Sequence, residues 1–393
     1  MDMAPDAKTH VVFIVPTIRS FSSKRVDLAD TLVAAGCRIT VLVPAGDMEE
    51  FAWVFDEIRY PYEVVELDRG GLNPLRNLTA LKTLYLALRR LKPDVVFNYA
   101  VKPTTFGSIA ARLAGVPRVV SMVTGAGYLF ARESSFRQKI LRTLVLPLYL
   151  TAGRINARMI FQNPDDRDLF LEYRIVPSPE RAVLVNGSGV DIDDFAYRPA
   201  PPSDTVRFIM ISRLITEKGI AEYARAADYL HKKYPGKVEC LHLGGVDPHS
   251  QNKIEDLSPF AAQGVNFLGF QTDVSKWLSE SHVFVLPSYY PEGIPRSGLE
   301  ALAIGRAVVS TNSPGCRELV GNGRNGFIVP PRNWQELADA MEKFLIEPEL
   351  VNSMGAVSRE IALERFDIRK VNAVMKKAIL GESEGDLLPS EKG

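Results

Sequence analysis

Short, β-branched runs of nearly unbroken apolar character alternate along the chain with stretches of helical period, and this alternation restricts the fold more than any other feature. HVVFIVP (10–16), CRITVLVP (37–44), DVVFNYA (94–100) and RVVSMVT (118–124) read as strands buried on both faces, the pattern of parallel sheets. Between them, KRVDLADTLVAAG (24–36) ends on Gly36 as a C-terminal cap, and NPLRNLTALKTLYLALRRLK (73–92) repeats leucine at helical spacing. FAYRPAPPSDT (195–205), with Pro199, Pro201 and Pro202, excludes regular structure and reads as a linker. The alternation then restarts with VRFIMIS (206–212), KVECLHLGG (237–245), GVNFLGF (264–270), HVFVLPS (282–288) and RAVVST (306–311). The expected architecture is α/β, with two Rossmann-like domains facing across a cleft: residues 1–200, then 201–365, then a C-terminal helix and frayed tail over 366–393. Ligand sites in such sheets lie at the carboxyl ends of the strands.

The length of 393 residues, with 46% hydrophobic and 24% charged composition, also calls for two cores rather than one and excludes disorder. A net charge of zero gives no reason to expect nucleic acid as a partner, although a balanced total can hide local asymmetry. Cys37, Cys240 and Cys316 are widely spaced without CxxC, so neither a disulfide framework nor a zinc site is expected, and a reducing cytosol fits. The opening MDMAPDAKTH has no apolar core, so no signal peptide is expected, and no window is long and apolar enough to span a bilayer.

The turn after the first strand, TIRSFSSKR, contains no glycine, which argues against dinucleotide binding there, and no GxxxxGK[ST] occurs. The first strand of the second half runs into ISRLITEKGI (211–220). This places Arg213 and Lys218 just past a strand end, either as a solvated pair or as two cations holding a diphosphate. In PSYYPEGIPRSGLEALAIGRAVVST (287–311), Glu292 and Glu300 flank a loop entering a helix near Ser297, with Gly293, Ser297 and Gly298 expected to leave the helix N-terminus open. Free backbone amides there suit a phosphate, and carboxylates beside it would accept hydrogen bonds from ribose and sugar hydroxyls. Together these describe a nucleotide-sugar site.

These residues carry a resemblance to the retaining glycosyltransferases of the GT-B fold, family 4. Glu292 and Glu300 match that family's E-x7-E motif, and SRLITEKG its conserved Arg and Lys; GSGVD (187–191), LGF (268–270), PGCRELV and NGRNGFIVPP match further positions. The stretch VKPTTFGSIAARLAGVPRVVSMVTGAGYLF (101–130) is similar to bacterial polysaccharide and glycolipid enzymes, among them the capsule galactosaminyltransferases and the undecaprenyl-diphosphate-bacillosamine α-1,3-N-acetylgalactosaminyltransferase.

The resemblance implies a UDP-sugar donor, an N-acetylhexosamine by preference, and an acceptor glycan on a polyprenyl diphosphate. It implies that Arg213 and Lys218 grip the diphosphate and stabilise its departure, Glu300 binds the ribose, and Glu292 holds the sugar hydroxyls. Gly293, Ile294, Pro295, Arg296, Ser297, Gly298 and Leu299 would cover diphosphate and ring, and Gly269, Phe270 and Thr272 would meet the uracil. Attack on the donor's front face would need neither a protein nucleophile nor a metal or cofactor. Two departures stand out. Thr124, Gly125, Ala126 and Gly127 lie where many members carry a histidine, and His10, His231, His242, His249 and His282 show no clustered spacing. Asp191, Asp193 and Asp194 form a DID that reads either as a structural turn or as a metal-binding DxD.

Residues 101–160 hold Lys102, Arg112, Arg118, Arg132, Arg137, Lys139, Arg142, Arg154 and Arg158 against Glu133 alone. Within them, 134–150 places Phe136, Ile140, Leu141, Leu144, Val145 and Leu148 at helical spacing. Two readings fit: an ordinary packing helix, or an apolar face dipping into an anionic membrane surface, which would put the protein peripherally at the cytoplasmic face. Lys102, Thr124, Gly125, Gly127 and Tyr128, near strand ends, are the candidates for the acceptor diphosphate and sugar. A non-hydrolysing UDP-sugar epimerase and a non-catalytic nucleotide-sugar-binding protein are the alternative functions.

Overall fold

The structure is a computed structural model that describes residues 9–56, 58–67, 73–125, 136–248, 250 and 252–382. The chain divides into two compact units, Met1–Val185 with Val371–Gly393, and Asn186–Lys370.

The first unit is built on a parallel seven-stranded sheet: β1 (Thr9–Ile14), β2 (Cys37–Pro44), β3 (Tyr62–Val65), β4 (Val95–Tyr99), β5 (Arg118–Val123), β6 (Arg158–Phe161) and β7 (Ala182–Leu184). Their spatial order is β3-β2-β1-β4-β5-β6-β7. The central strands are buried along nearly their whole length, as their unbroken apolar character requires. Phe13 packs edge-on against Phe21 and Phe97, with centroids 5.6 and 5.2 Å away. The Pro74–Leu91 helix starts at Asn73, whose side chain caps two amides, and the Val26–Ala34 helix is followed by Gly36 at φ 85°.

The second unit carries a parallel six-stranded sheet: β8 (Val206–Ile211), β9 (Val238–Leu243), β10 (Val265–Phe267), β11 (Val283–Leu286), β12 (Ala307–Thr311) and β13 (Gly326–Val329), in the order β10-β9-β8-β11-β12-β13. Strands β3, β6, β7 and β13 were not expected from the sequence. Each spans only three or four residues, too short for a periodic signal.

The unit boundaries differ from those expected. The proline-rich stretch is irregular but lies inside the second unit, where arginines hold its carbonyls: buried Arg306 donates to Arg198, and half-buried Arg359 to Phe195 and to Ile192 just before the stretch. The C-terminal helix (Ile368–Leu380) forms no separate tail either. Val371, Met375, Ala378 and Ile379 join the core of β1, β2 and β4, each large apolar side chain contributing about 1.5–3 kcal/mol. Arg118 caps this helix by donating to the carbonyls of Ala378 and Ile379, each at 2.8 Å. The tail expected to be frayed lies, from residue 383 on, outside the described residues.

Candidate functional site

Each sheet reverses its winding beside its first strand, between β1 and β4 in one unit and between β8 and β11 in the other, and a crevice opens at such a switch point. In the second unit the expected charges stand on both sides of it: Arg213 and Lys218 follow β8, and Glu292 follows β11. Lys218 ends a short 3-10 turn (Thr216–Lys218), after which Gly219 takes φ 80°, and a Cβ there would run into the Pro287 carbonyl. This close approach stitches the two loops together. Tyr289 N and Ser288 Oγ both donate to the Glu217 carbonyl, at 2.9 and 3.3 Å.

Lys218, its side chain only 7% exposed, forms an ion pair with Glu292, and Ser288 Oγ lies 3.4 Å from the same carboxylate oxygen, an alternative acceptor for its one proton. A cation so deeply desolvated requires such a partner. The Tyr290 ring lies 5.9 Å from the ammonium, and burial pushes its phenol pKa up. Arg213 is half-exposed and pairs with Asp247 at 2.5 Å. Asp247 was missed at the sequence level, although its place after β9 and the Gly244-Gly245 turn is the signal that could have found it.

The helix Arg296–Ile304 begins at Pro295 with no side-chain cap, and Ser297 Oγ donates to the Ile211 carbonyl at 2.9 Å, fastening the helix start to the end of β8. Glu300 is buried and accepts from Arg296 Nε at 2.8 Å. Gly298 has a packing reason as well: a Cβ there would run into Leu319. Ile294 and Leu299 belong to the core, and Gly293 and Pro295 are buried. Along the outer strands, Gly244 N donates to the Gly269 carbonyl at 2.9 Å, Gly269 sits at φ 68°, and Phe270 is 64% exposed with Thr272 exposed beyond it. Among these predicted residues Lys218 pairs with Glu292 and Arg296 with Glu300, while Gly269, Phe270 and Thr272 extend the line toward the sheet edge.

In the first unit Lys102 follows β4, and Thr124 and Gly125 follow β5, its neighbour in the sheet, so these three lie at adjoining strand ends. Ala100 is held at φ 69° between β4 and Lys102, a strained conformation for a non-glycine residue. A π-type turn, Pro103–Gly107, follows at once, and a Cβ on Gly107 would run into Asn98. Gly127 and Tyr128 lie outside the described residues.

Asp191 Oδ1 accepts from the amides of Asp193 and Asp194, at 2.8 and 3.1 Å, which gives the DID a turn-forming role. Among the described residues no group of three His, Cys, Asp or Glu could hold a metal ion. His10 and His282 are buried in hydrogen-bonded positions, and desolvation lowers the pKa of both. His249 lies outside the described residues. The long helix Phe136–Ile155 divides its apolar side chains: Leu141, Val145, Leu146 and Leu150 pack inward with Tyr149, whereas Leu144 is 58% exposed. Residues 134 and 135, and the side chains of 136–140, lie outside the description. No described helix is long and apolar enough to cross a membrane.

Two doubly wound sheets, the second with cations and carboxylates gathered at its switch point, define a GT-B type of enzyme. Residues 191–361 match the model of glycosyl transferases group 1, and residues 25–187 that of the glycosyl transferase 4-like domain. The chain belongs to this glycosyltransferase family. It is 25% identical over 339 residues to the N,N'-diacetylbacillosaminyl-diphospho-undecaprenol alpha-1,3-N-acetylgalactosaminyltransferase of Campylobacter jejuni, covering 83% of this chain and 86% of that one. It is 28% identical over 316 residues to the UDP-Gal:alpha-D-GlcNAc-diphosphoundecaprenol alpha-1,3-galactosyltransferase of Escherichia coli, covering 76% and 78%. The crystal structure of Anabaena HepE in complex with UDP shares the fold, with a TM-score of 0.75 at 18% identity over 95% of this chain and 100% of that one.

Proposed function

We propose that the protein moves an N-acetylhexosamine, with retention, from a UDP-sugar to a glycan carried on a polyprenyl diphosphate, working peripherally at the cytoplasmic face of the membrane. The observation that carries this reading is the pairing at the second switch point of Lys218 and Glu292, with Arg213 and the start of the Arg296–Ile304 helix beside them. Such a crevice suits a diphosphate with hydroxyl-bearing groups at both ends. The lipid-linked acceptors in the names of the Campylobacter and Escherichia relatives, and the UDP bound by HepE, support it.

In this reading the ion pairs hold the site ready before the donor arrives. Lys218 and Arg213 exchange Glu292 and Asp247 for the diphosphate, and their charge stabilises UDP as it leaves. Glu292, released, accepts from the sugar hydroxyls; Glu300 does the same for the ribose, with Arg296 turned to the phosphate. The backbone from Gly293 to Leu299 covers the diphosphate and ring, and Gly269, Phe270 and Thr272 meet the uracil. Attack comes from the face that UDP leaves, and a departing phosphate oxygen takes the acceptor's proton. Lys102, Thr124, Gly125, Gly127 and Tyr128 bind the acceptor. The outward side of the Phe136–Ile155 helix, where Leu144 is exposed beside Arg142, rests on the membrane surface.

UDP release by the purified protein, across UDP-sugars with and without a polyprenyl-diphosphate-sugar in detergent, tests this directly. Release that needs both one donor and the lipid acceptor is expected. Slow turnover of a UDP-sugar indifferent to the acceptor would overturn the acceptor assignment and leave the nucleotide site standing.

A further inference from the structure

His242 and Ser212 form a couple in the second unit that the roles above do not use. His242 is the last residue but one of β9, fully buried, with its ring 5.3 Å from that of Phe267. Its Nε2 lies 3.2 Å from Ser212 Oγ, and its Nδ1 is buried with no hydrogen-bond partner among the described residues.

Two neutral tautomers are available. With the proton on Nδ1, a buried N–H is orphaned. With the proton on Nε2, that N–H donates to Ser212 Oγ, and only a lone pair is left without a partner. Orphaned buried N–H groups are the rarer outcome in folded proteins, so the second tautomer is the stable one. Burial lowers the imidazole pKa to about 4, and the ring therefore carries a single N–H throughout the neutral range.

The consequence falls on Ser212. Its oxygen accepts from His242, so its own proton must be donated elsewhere, and the hydroxyl has no other partner among the described residues. Ser212 is half-buried just past the end of β8. It sits between Ile211, whose carbonyl receives Ser297, and Arg213. A donor held there lies on the strand-end segment that also carries Arg213, where the diphosphate is read to lie.

We infer that Ser212 is a further donor-binding residue, giving its hydroxyl proton to a phosphate oxygen of the nucleotide, and that His242 is the positioning residue that aims it. The inference rests on the nucleotide-sugar reading of this crevice and deepens it. A hydroxyl bonded to an anionic oxygen stabilises more than a neutral pair does, provided its rotor is already set when the ligand arrives.

Calorimetric titration with UDP and with uridine separates the phosphate contact from those of base and ribose. Ser212→Ala is expected to bind UDP about 10-fold more weakly and uridine as the native protein does. Ser212→Thr keeps the affinity. His242→Gln, whose amide replaces the Nε2–H, stays near the native value. His242→Leu weakens UDP binding as Ser212→Ala does, and adding it to Ser212→Ala costs nothing more. A purely structural histidine would instead weaken binding equally in both backgrounds, and that result would overturn its positioning role.

Should His242→Leu fail to fold, the serine variants still decide the matter. Native UDP affinity in Ser212→Ala, or equal losses for UDP and uridine, would overturn the phosphate assignment while leaving the nucleotide site intact. Failure of the native protein to bind UDP would overturn both.

Discussion

The two units wind their sheets in the same order, but they treat charge at the switch point in opposite ways. In the first, Arg25 is buried with its guanidinium 5.3 Å from the Tyr99 ring centroid, Tyr99 OH and Ser20 Oγ lie 2.9 Å apart, and buried Asp47 accepts from the Ile18 amide. Arg25, Tyr99 and Asp47 are sealed into the core. In the second, the charges are held in ion pairs: Lys218 and Glu300 are buried against Glu292 and Arg296, and the more exposed Arg213 pairs with Asp247, pairs that the proposed reading has a ligand replace. One topology thus uses its polar groups for cohesion in one copy and, in the function proposed above, for recognition in the other, which is why the chemistry is argued from the site and not from the fold.

The largest effect that would break this contrast is on turnover. Lys218→Ala should lower UDP-sugar transfer about 100- to 1,000-fold, since it removes the buried cation and leaves Glu292 without it. Asp47→Asn in the first unit should instead destabilise by about 1–3 kcal/mol, seen as a lower Tm, with turnover per folded molecule nearly unchanged. Equal losses of activity in both variants would erase the distinction.

Acid should separate the units next. His242, His282 and His10 all have pKa values lowered by burial, so the unfolded chain binds more protons than the folded one. Stability is then complete above the unfolded value of about 6.5 and falls as pH drops toward about 4 for His242, which can cost up to about 3 kcal/mol. Two of these histidines belong to the second unit and one to the first. Hydrogen exchange at pH 5 should therefore show the second unit opening first.

Smaller effects sharpen the acceptor side. Lys102→Ala should reduce kcat/KM for the lipid-linked acceptor about 10-fold and leave the KM for UDP-sugar unchanged, a split that initial-rate kinetics resolves. Leu144→Asp should weaken sedimentation with anionic vesicles only about 2- to 3-fold, because the inward-facing residues of its helix belong to the core and are not free to insert.

The fold was legible where strands were long and apolar, and the site where a motif combined charge with glycine. Arg213, Lys218, Glu292 and Glu300 fall at strand ends or on the helix just beyond, because their neighbours are unmistakable strands. Asp247, Ser212 and His242 were not legible as site residues. A lone carboxylate after a strand, a serine and a core histidine acquire meaning only when β8 and β9 are laid side by side in register, Met210 against His242. The same limit explains the helix around Leu144, where heptad-like spacing could not say which apolar side chains face the core. Proline content located an irregular stretch, but the unit boundary depends on Arg306 and Arg359, whose side chains reach across sequence to hold it.

The C-terminal helix has a consequence for synthesis. Val371, Met375, Ala378 and Ile379 complete a core whose other members begin at Val11, so the first unit is the last to be finished as the chain leaves the ribosome. Its nascent form must wait, with apolar surface on β1, β2 and β4 exposed, through translation of the entire second unit. The hazard for this chain thus lies in the time that surface spends uncovered during elongation, which the equilibrium stability of either half does not measure.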